Sequence, residues 1–129
     1  MSWRIISRLR SLRWQGALVV VLLLGSYVTY YSPLPFIPSW WKAGETNWDD
    51  TYYRRHRMAD AFLLTGRLIG MPRAKVIALL GKPDTEYFRE FNIVYNLGAE
   101  RGFMGIDSEW LVMRTDASGV VTEAKIVRD

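Results

Sequence analysis

The sequence predicts an α+β protein: an N-terminal transmembrane helix, then two helices packed on one face of a three-stranded antiparallel sheet (α-α-β-β-β). Two observations lead to this fold class. The run Gly16–Tyr31 is apolar and uncharged, and the spacing of apolar residues changes from helical to alternating at Glu86. The chain has 129 residues, of which roughly thirty belong to the anchor, so there is room for one small domain.

Shifts in composition divide the chain into four predicted segments. These are a basic amphipathic cytoplasmic segment, a transmembrane helix, a spacer rich in proline and tryptophan, and an α+β domain, at residues 1–13, 14–31, 32–48 and 49–129. The basic segment either lies along the inner leaflet of the membrane or is a solvated tail.

The predicted transmembrane helix begins at Trp14 and ends at Tyr31. Eighteen helical residues rise about 27 Å, close to the ~30 Å hydrocarbon core of a bilayer. Trp14, Tyr30 and Tyr31 are expected at the two membrane–water interfaces. A buried core helix and a cleaved signal peptide are the alternatives. The tyrosines that follow the aliphatic core, in place of the small residues of a cleavage site, favour a retained anchor.

The distribution of basic residues predicts the orientation of the anchor. Four arginines precede the apolar run, whereas Lys42 is the only basic residue in the twenty-two residues after it. Positive charge stays on the cytoplasmic side, so the domain is expected in the periplasm, held at the inner membrane.

Without those four arginines, 13 basic residues balance 13 acidic ones. The chain therefore has no electrostatic footprint for nucleic acid.

The spacer contains Pro33, Pro35 and Pro38, which end the anchor helix and predict an extended segment. Trp40 and Trp41 follow. We expect both tryptophans at the outer membrane interface, and packing on the domain is the alternative.

The first helix of the domain is predicted over Asp49–Gly66. Asp49 or Asp50 can cap its start, and Gly66 suits its end. Its predicted buried stripe consists of Met58, Phe62 and Leu63, and its predicted exposed half of Arg54, Arg55, His56 and Arg57. His56, the only histidine, is expected to be solvated.

A second helix is predicted over Pro72–Leu80, with Val76, Leu79 and Leu80 on its buried face and Gly81 at its end. The chain then alternates, which predicts three strands. One face of the first strand is predicted to carry the apolar residues Tyr87, Phe91, Ile93, Tyr95 and Leu97. The second strand is predicted over Ser108–Thr115 and the third over Val120–Val127. Thr115–Gly119 is the predicted hairpin connection, and Gly98–Gly105 a mobile loop.

The phrase GMPRAKVIALLGKP, Gly70–Pro83, resembles the helix signature of the SmpA/OmlA (BamE-type) superfamily of small β-lactamase-inhibitor-protein-like domains. Trp110-Leu111 and the Asp116–Val120 turn are similar to later parts of that family's pattern, so the resemblance covers about Asp60–Val127. It implies an envelope protein whose small domain binds other proteins or stabilises a complex. The chain departs from the family in having Pro72 in place of a capping hydroxyl residue and no cysteine for a lipid anchor.

No arrangement of catalytic or metal-binding residues is apparent in the sequence. Asp107 and Glu109 share one face of a strand, but they are expected to be solvated charges at its edge. A single histidine and no cysteine provide neither a catalytic triad nor a soft metal site. We therefore predict a protein that is not an enzyme and has no cofactor.

The face of the sheet opposite the helices is predicted to stay open and to bind a partner, with Phe88, Val94, Trp110 and Arg114 as contact residues. The predicted function is that of a membrane-anchored envelope protein whose periplasmic domain binds another protein or stabilises a membrane complex. The alternative is a small-ligand or lipid-sensing domain, with the Gly98–Gly105 loop as a lid. Its apolar contacts would be Phe103, Met104, Trp40 and Trp41.

Overall fold

The computed structural model describes residues 3–46, 50, 52–84, 88–102 and 104–129. The residues Asp49, Glu86, Tyr87 and Phe103, which the sequence analysis used, lie outside this set. The chain forms two compact units, Met1–Ser32 and Pro33–Asp129. In chain order, the elements are α1 (Trp3–Tyr31), α2 (Pro38–Thr46), α3 (Arg54–Thr65), α4 (Arg73–Leu80), β1 (Ile93–Ala99), β2 (Ser108–Thr115) and β3 (Val121–Arg128). This is the predicted α+β fold class, with one further helix.

The first unit consists of α1, a single helix that continues through the boundary predicted at residue 14. Its part Leu12–Tyr31 is long and apolar enough to cross a membrane, and none of it is buried in the protein. A helix of this kind near an N-terminus could be a membrane span or a signal anchor.

The second unit begins at Pro33, and the prediction of an extended spacer over 32–48 is wrong for Pro38–Thr46, which is helical. The N–H of Leu34 donates to the carbonyl of Arg57 at 3.0 Å, and α2 starts at Pro38, where a proline ring suits the first helical turn. Trp41 is only 1% exposed, and its Nε1–H donates to the carbonyl of Leu80 at 2.8 Å. The segment therefore belongs to the domain, because its aromatic residues gain more by burial in the core than by lying in an extended chain.

Helices α3 and α4 end where the sequence predicts, but both begin later than predicted, α3 at Arg54 and α4 at Arg73. Helix α3 begins at Arg54, and the carboxylate of Asp50 accepts from the N–H of Arg54 at 2.9 Å. Gly66 ends α3 with φ 63°, the left-handed conformation that glycine adopts without strain. The first residue of α4 is Arg73, with Pro72 immediately before it, and Gly81 follows its last residue.

The three strands form one antiparallel sheet in the order β1-β2-β3. Leu111 pairs with Tyr95 on one side and Ile126 on the other, and a bulge between Asn96 and Gly98 interrupts the β1–β2 register. In the predicted hairpin, Asp116 Oδ1 accepts from the N–H of Ser118 and of Val120, at 2.9 and 3.0 Å. Local turn chemistry therefore sets the β2–β3 register.

The main core lies between the helices and one face of the sheet. Met58, Phe62, Val76 and Leu80 of the helices are buried against the strands there. The strands contribute Ile93, Tyr95, Leu97, Leu111, Met113 and Val121. The hydroxyl of Tyr95 donates to the carbonyl of Gly81 at 2.7 Å, which joins β1 to the end of α4.

Candidate functional site

We use the term second face for the side of the sheet opposite the helices. Side chains alternate along β2, so Trp110, Val112 and Arg114 point to the second face while Leu111 and Met113 enter the main core. In β3, Val127 lies opposite Trp110 and Lys125 opposite Val112. The second face therefore changes from apolar at Trp110 to basic at Arg114.

An aromatic cluster covers the centre of the second face. Phe91, Val94 and Val112 are buried together, with Phe88, Trp110 and Val127 packed around them. Val94 is 1% exposed, so the prediction that it is a contact residue on an open face is wrong. The prediction that Phe91 lies on the same face as Ile93 is also wrong. Strand β1 begins only at Ile93, so its alternation does not extend back to Phe91.

The accessible apolar part of the second face is a strip formed by Phe88, Trp110 and Val127, all of which are partly exposed. The rings of Phe88 and Trp110 meet edge to face, with centroids 5.7 Å apart and planes at 73°. Two of the predicted contact residues therefore lie together in this strip, and we call it the apolar strip.

Basic side chains adjoin the aromatic cluster. The guanidinium carbon of Arg114 lies 5.2 Å from the ring centre of Phe91, and Nζ of Lys125 lies 5.0 Å from it. Both cations also pair with Glu123, at 3.4 and 2.8 Å. The hydrogen bond from Lys125 lowers the pKa of Glu123 below its ordinary value, so this carboxylate is ionised at neutral pH.

A concave pocket of about 520 Å³ adjoins the second face at Phe91. Arg73, Arg89, Phe91 and Asn92 line it, and Nη1 of Arg73 donates to the carbonyl of Asn92 at 2.5 Å. We call it the basic pocket. The sequence analysis did not identify Arg73 or Lys125, because they join the site only through contacts between distant parts of the chain.

A buried carboxylate, that of Glu109, joins a group of charged side chains on the helix side of the sheet. Glu109 is 1% exposed and accepts from Nε of Arg101 and from Nη2 of Arg128, both at 2.9 Å. The other side of the Arg101 guanidinium pairs with Asp60 of α3. The prediction of solvated strand-edge charges is therefore wrong for Glu109, while Asp107 is exposed.

Burial by itself raises the pKa of Glu109, but Arg101 and the hydrogen bonds of Arg101 and Arg128 lower it to a net value below the ordinary one. Glu109 is therefore a carboxylate that holds two guanidinium groups. Because Arg101 also reaches Asp60, this ionic group ties β2 to α3 and fixes the start of the loop that follows β1.

His56 is also buried, 2% exposed, and the prediction that it is solvated is wrong. Its Nε2 donates to the carbonyl of Ala99 at 2.9 Å and lies 4.0 Å from Oε2 of Glu109. The pKa of His56 is lowered to about 4, chiefly by burial and also by the charge of Arg101. The charge of Glu109 acts in the opposite direction but does not compensate. His56 is therefore neutral at pH 7, and like Glu109 it has no access to a substrate in solution.

The arginines of α3 likewise differ from the prediction, since Arg55 and Arg57 are buried. Arg55 lies over the ring of Trp41, 4.5 Å from its centre, and donates to the carbonyl of Asn96. Its Nη1 is 3.4 Å from the carboxylate of Asp84. Long side chains can cover apolar surface with their stems while the charged group finds polar partners, and the apolar periodicity of a helix does not reveal this.

The Glu100–Asp107 loop, which contains Arg101, carries exposed apolar side chains. The N–H of Glu100 donates to the carbonyl of Asp107 at 2.8 Å, which closes the loop at its base. Met104 is 67% and Ile106 72% exposed. The prediction that Trp41 contacts a ligand together with this loop is wrong, because Trp41 is buried in the core.

Of the other residues predicted at the membrane interface, Trp14 is exposed and Tyr30 partly buried. Tyr31 and Trp40 are each 38% exposed. The guanidinium of Arg54 lies 5.2 Å from the ring centre of Trp40, so this tryptophan also packs on the domain.

Across the residues that the structure describes, no group of three or more acidic or histidine side chains is arranged to hold a metal ion. Comparisons with known protein families, with curated proteins and with solved structures find no match for this chain. The resemblance to the SmpA/OmlA superfamily therefore stays a prediction.

Proposed function

We propose that this chain is a single-pass protein of the cell envelope whose small domain binds another protein or stabilises a membrane complex. In this proposal α1 anchors it in the inner membrane, with the N-terminus in the cytoplasm and residues 33–129 in the periplasm. The arginines before the apolar run support that orientation. The protein is proposed to have no catalytic activity, no cofactor and no affinity for nucleic acid.

The observation that carries the proposal is the apolar strip beside a cluster of cations on the second face. Phe88 and Trp110 keep part of their rings accessible, and Arg114 and Lys125 lie at the other end of the same face. Aromatic residues and arginine are the residue types enriched in protein interfaces. The resemblance to SmpA/OmlA domains, whose members are envelope proteins, supports the same function.

Crosslinking in cells tests the proposal. A photoreactive phenylalanine analogue replaces Phe88 or Trp110 in the full-length protein, and Ala117 in the exposed β2–β3 hairpin is the matched control position. We expect one defined protein to be trapped from the first two positions and nothing from the third, because only the first two lie in the apolar strip.

Adducts to lipid alone, or no adducts, in variants that keep the thermal unfolding of the parent protein would overturn the protein-binding proposal. The outcome is read by mass spectrometry of the crosslinked peptide, which also separates a specific partner from abundant neighbours.

A second candidate, a small-ligand or lipid-sensing domain at the membrane surface, is favoured by the exposed tip of the Glu100–Asp107 loop. Met104 and Ile106 are apolar and exposed on a loop whose base is closed and ion-paired. The same analogue at Ile106 distinguishes the candidates, since lipid contact predicts lipid adducts from this position and none from Phe88.

A further inference from the structure

We propose that the basic pocket receives an acidic side chain of the partner protein, so that the partner docks an acidic segment on the second face. This inference rests on the proposed protein-binding function and specifies the chemistry of its partner.

The first argument is the composition of the basic pocket. Two guanidinium groups, those of Arg73 and Arg89, line one concave site of about 520 Å³ together with Phe91 and Asn92. A guanidinium presents its donors in a fixed fork that fits the two oxygens of a carboxylate. A concave site also concentrates the field of its charges, which raises the local concentration of anions.

The second argument is that the cations of the basic pocket have no carboxylate partner among the described residues. In the part of the chain that the structure describes, Arg73 donates to the carbonyl of Asn92 and Arg89 has no ion pair with a carboxylate. In contrast, Arg114 and Lys125 share Glu123. Arg73 and Arg89 are therefore the guanidinium groups of this region that remain available to a carboxylate of a partner.

The third argument distinguishes a protein from a lipid surface. A bilayer is flat and would leave a concave pocket unfilled, whereas an acidic side chain on a partner can protrude into it. The carboxylate of Glu123 lies beside Arg114 on the same face and repels free, doubly charged inorganic phosphate more than a singly charged carboxylate. The apolar strip offers a protein partner an uncharged contact next to the acidic one.

The test places the photoreactive analogue at Lys125, which lies over Phe91, in the full-length protein in its native membranes. Three backgrounds are compared: the parent sequence, Arg89→Glu, and Arg67→Glu as a control. Arg67 is also exposed, and it lines a different, apolar groove beside Phe62. Thermal unfolding of each variant verifies folding. Hexaglutamate, hexaglutamine and inorganic phosphate are added as competitors.

We expect the crosslinked peptide of the partner to contain aspartate or glutamate, and its yield to fall about tenfold or more in Arg89→Glu with no change in Arg67→Glu. Raising the salt from about 50 to about 500 mM should lower the yield, because the Debye length shortens. At constant ionic strength, hexaglutamate should compete, and hexaglutamine and phosphate should not.

A neutral or basic crosslinked peptide, equal yields in all three backgrounds, competition by phosphate, or lipid adducts would each overturn the acidic-segment inference. If the analogues at Phe88 and Trp110 still trap a protein in that case, the proposed protein-binding function stands and only the inference fails. If nothing is trapped from any of the three positions, both fail.

Discussion

At the scale of single residues, the least expected feature is the neutral, buried His56 next to the ionic group of Glu109. The groups that face it are Glu109, Arg101, Asp60 and the carbonyl of Ala99, with the ring of Tyr53 edge-on at 5.4 Å. Two charged guanidiniums balance Glu109, so a proton on His56 would be buried without a carboxylate of its own. Protonation of His56 therefore opposes folding.

The domain should lose stability on mild acidification because of His56. Its pKa is about 4 in the folded state and about 6.5 when unfolded, so the unfolded chain binds more protons between these values. The stability that neutral His56 contributes is fully present above pH 6.5 and is lost as the pH falls towards 4. The difference between the two pKa values corresponds to roughly 3 kcal/mol of unfolding free energy.

Urea unfolding of the full chain in detergent, followed by tryptophan fluorescence, measures this dependence. In His56→Gln the amide can still donate to Ala99, but it does not titrate, so the slope between pH 6.5 and 5 should flatten. The same slope in both proteins would contradict the assignment to His56. The lowered pKa of Glu109 adds a loss of stability only below its ordinary value of 4.5.

At the scale of elements, α2 changes the interpretation of the chain between the apolar helix and the sheet. The ring of Trp41 lies 5.9 Å from that of Tyr95 and 6.1 Å from that of Phe36, centre to centre. It therefore joins α2 to β1 and to the segment before α2. Its neighbour Trp40 points outward and is 38% exposed.

These adjacent tryptophans make a matched pair of variants. Trp41→Ala should lower the free energy of unfolding by about 3–5 kcal/mol, because it opens a cavity in the core and leaves the carbonyl of Leu80 without its donor. Trp40→Ala should cost about 1 kcal/mol or less. Urea midpoints of the two variants measure the difference. Equal, small losses would restore the interpretation of this segment as a spacer outside the domain.

At the scale of the whole molecule, the chain consists of an apolar helix and a domain whose fold begins at Pro33, two residues after that helix ends. In the proposed orientation the domain is therefore connected to the membrane anchor by a single residue of the chain, Ser32. The tether raises the effective concentration of the domain for partners in the same membrane, so a modest interface suffices for binding there.

Topology reporters test this arrangement. Alkaline phosphatase fused after Asp129 should be active, and a fluorescent protein that matures only in the cytosol should be dark at the same position. Deleting residues 1–31 should reverse both signals, because the anchor and its arginines are then missing. A bright fluorescent fusion of the full chain would contradict the periplasmic orientation.

Much of the fold could be predicted from the sequence because its signals are local. Gly66 ends α3 and Asp116 organises the hairpin through contacts within four residues, and the alternation of β2 gave its bounds without error. The apolar character of Gly16–Tyr31 is likewise a property of composition alone. At the site, Trp110 and Arg114 lie on the predicted face, although alternation by itself left open whether Trp110 and Val112 or Leu111 and Met113 face away from the helices.

The features that only the tertiary structure decided all depend on contacts between distant residues. His56 meets Ala99 across 43 positions, Trp41 meets Leu80 across 39, and Arg101 meets Asp60 across 41. None of these side chains is placed in the core by its local pattern, because burial of a polar group is favourable only where a distant partner supplies the compensating hydrogen bond or charge. The sequence by itself therefore determined the elements other than α2, and the packing between them decided which charges and tryptophans are buried and which remain available for binding.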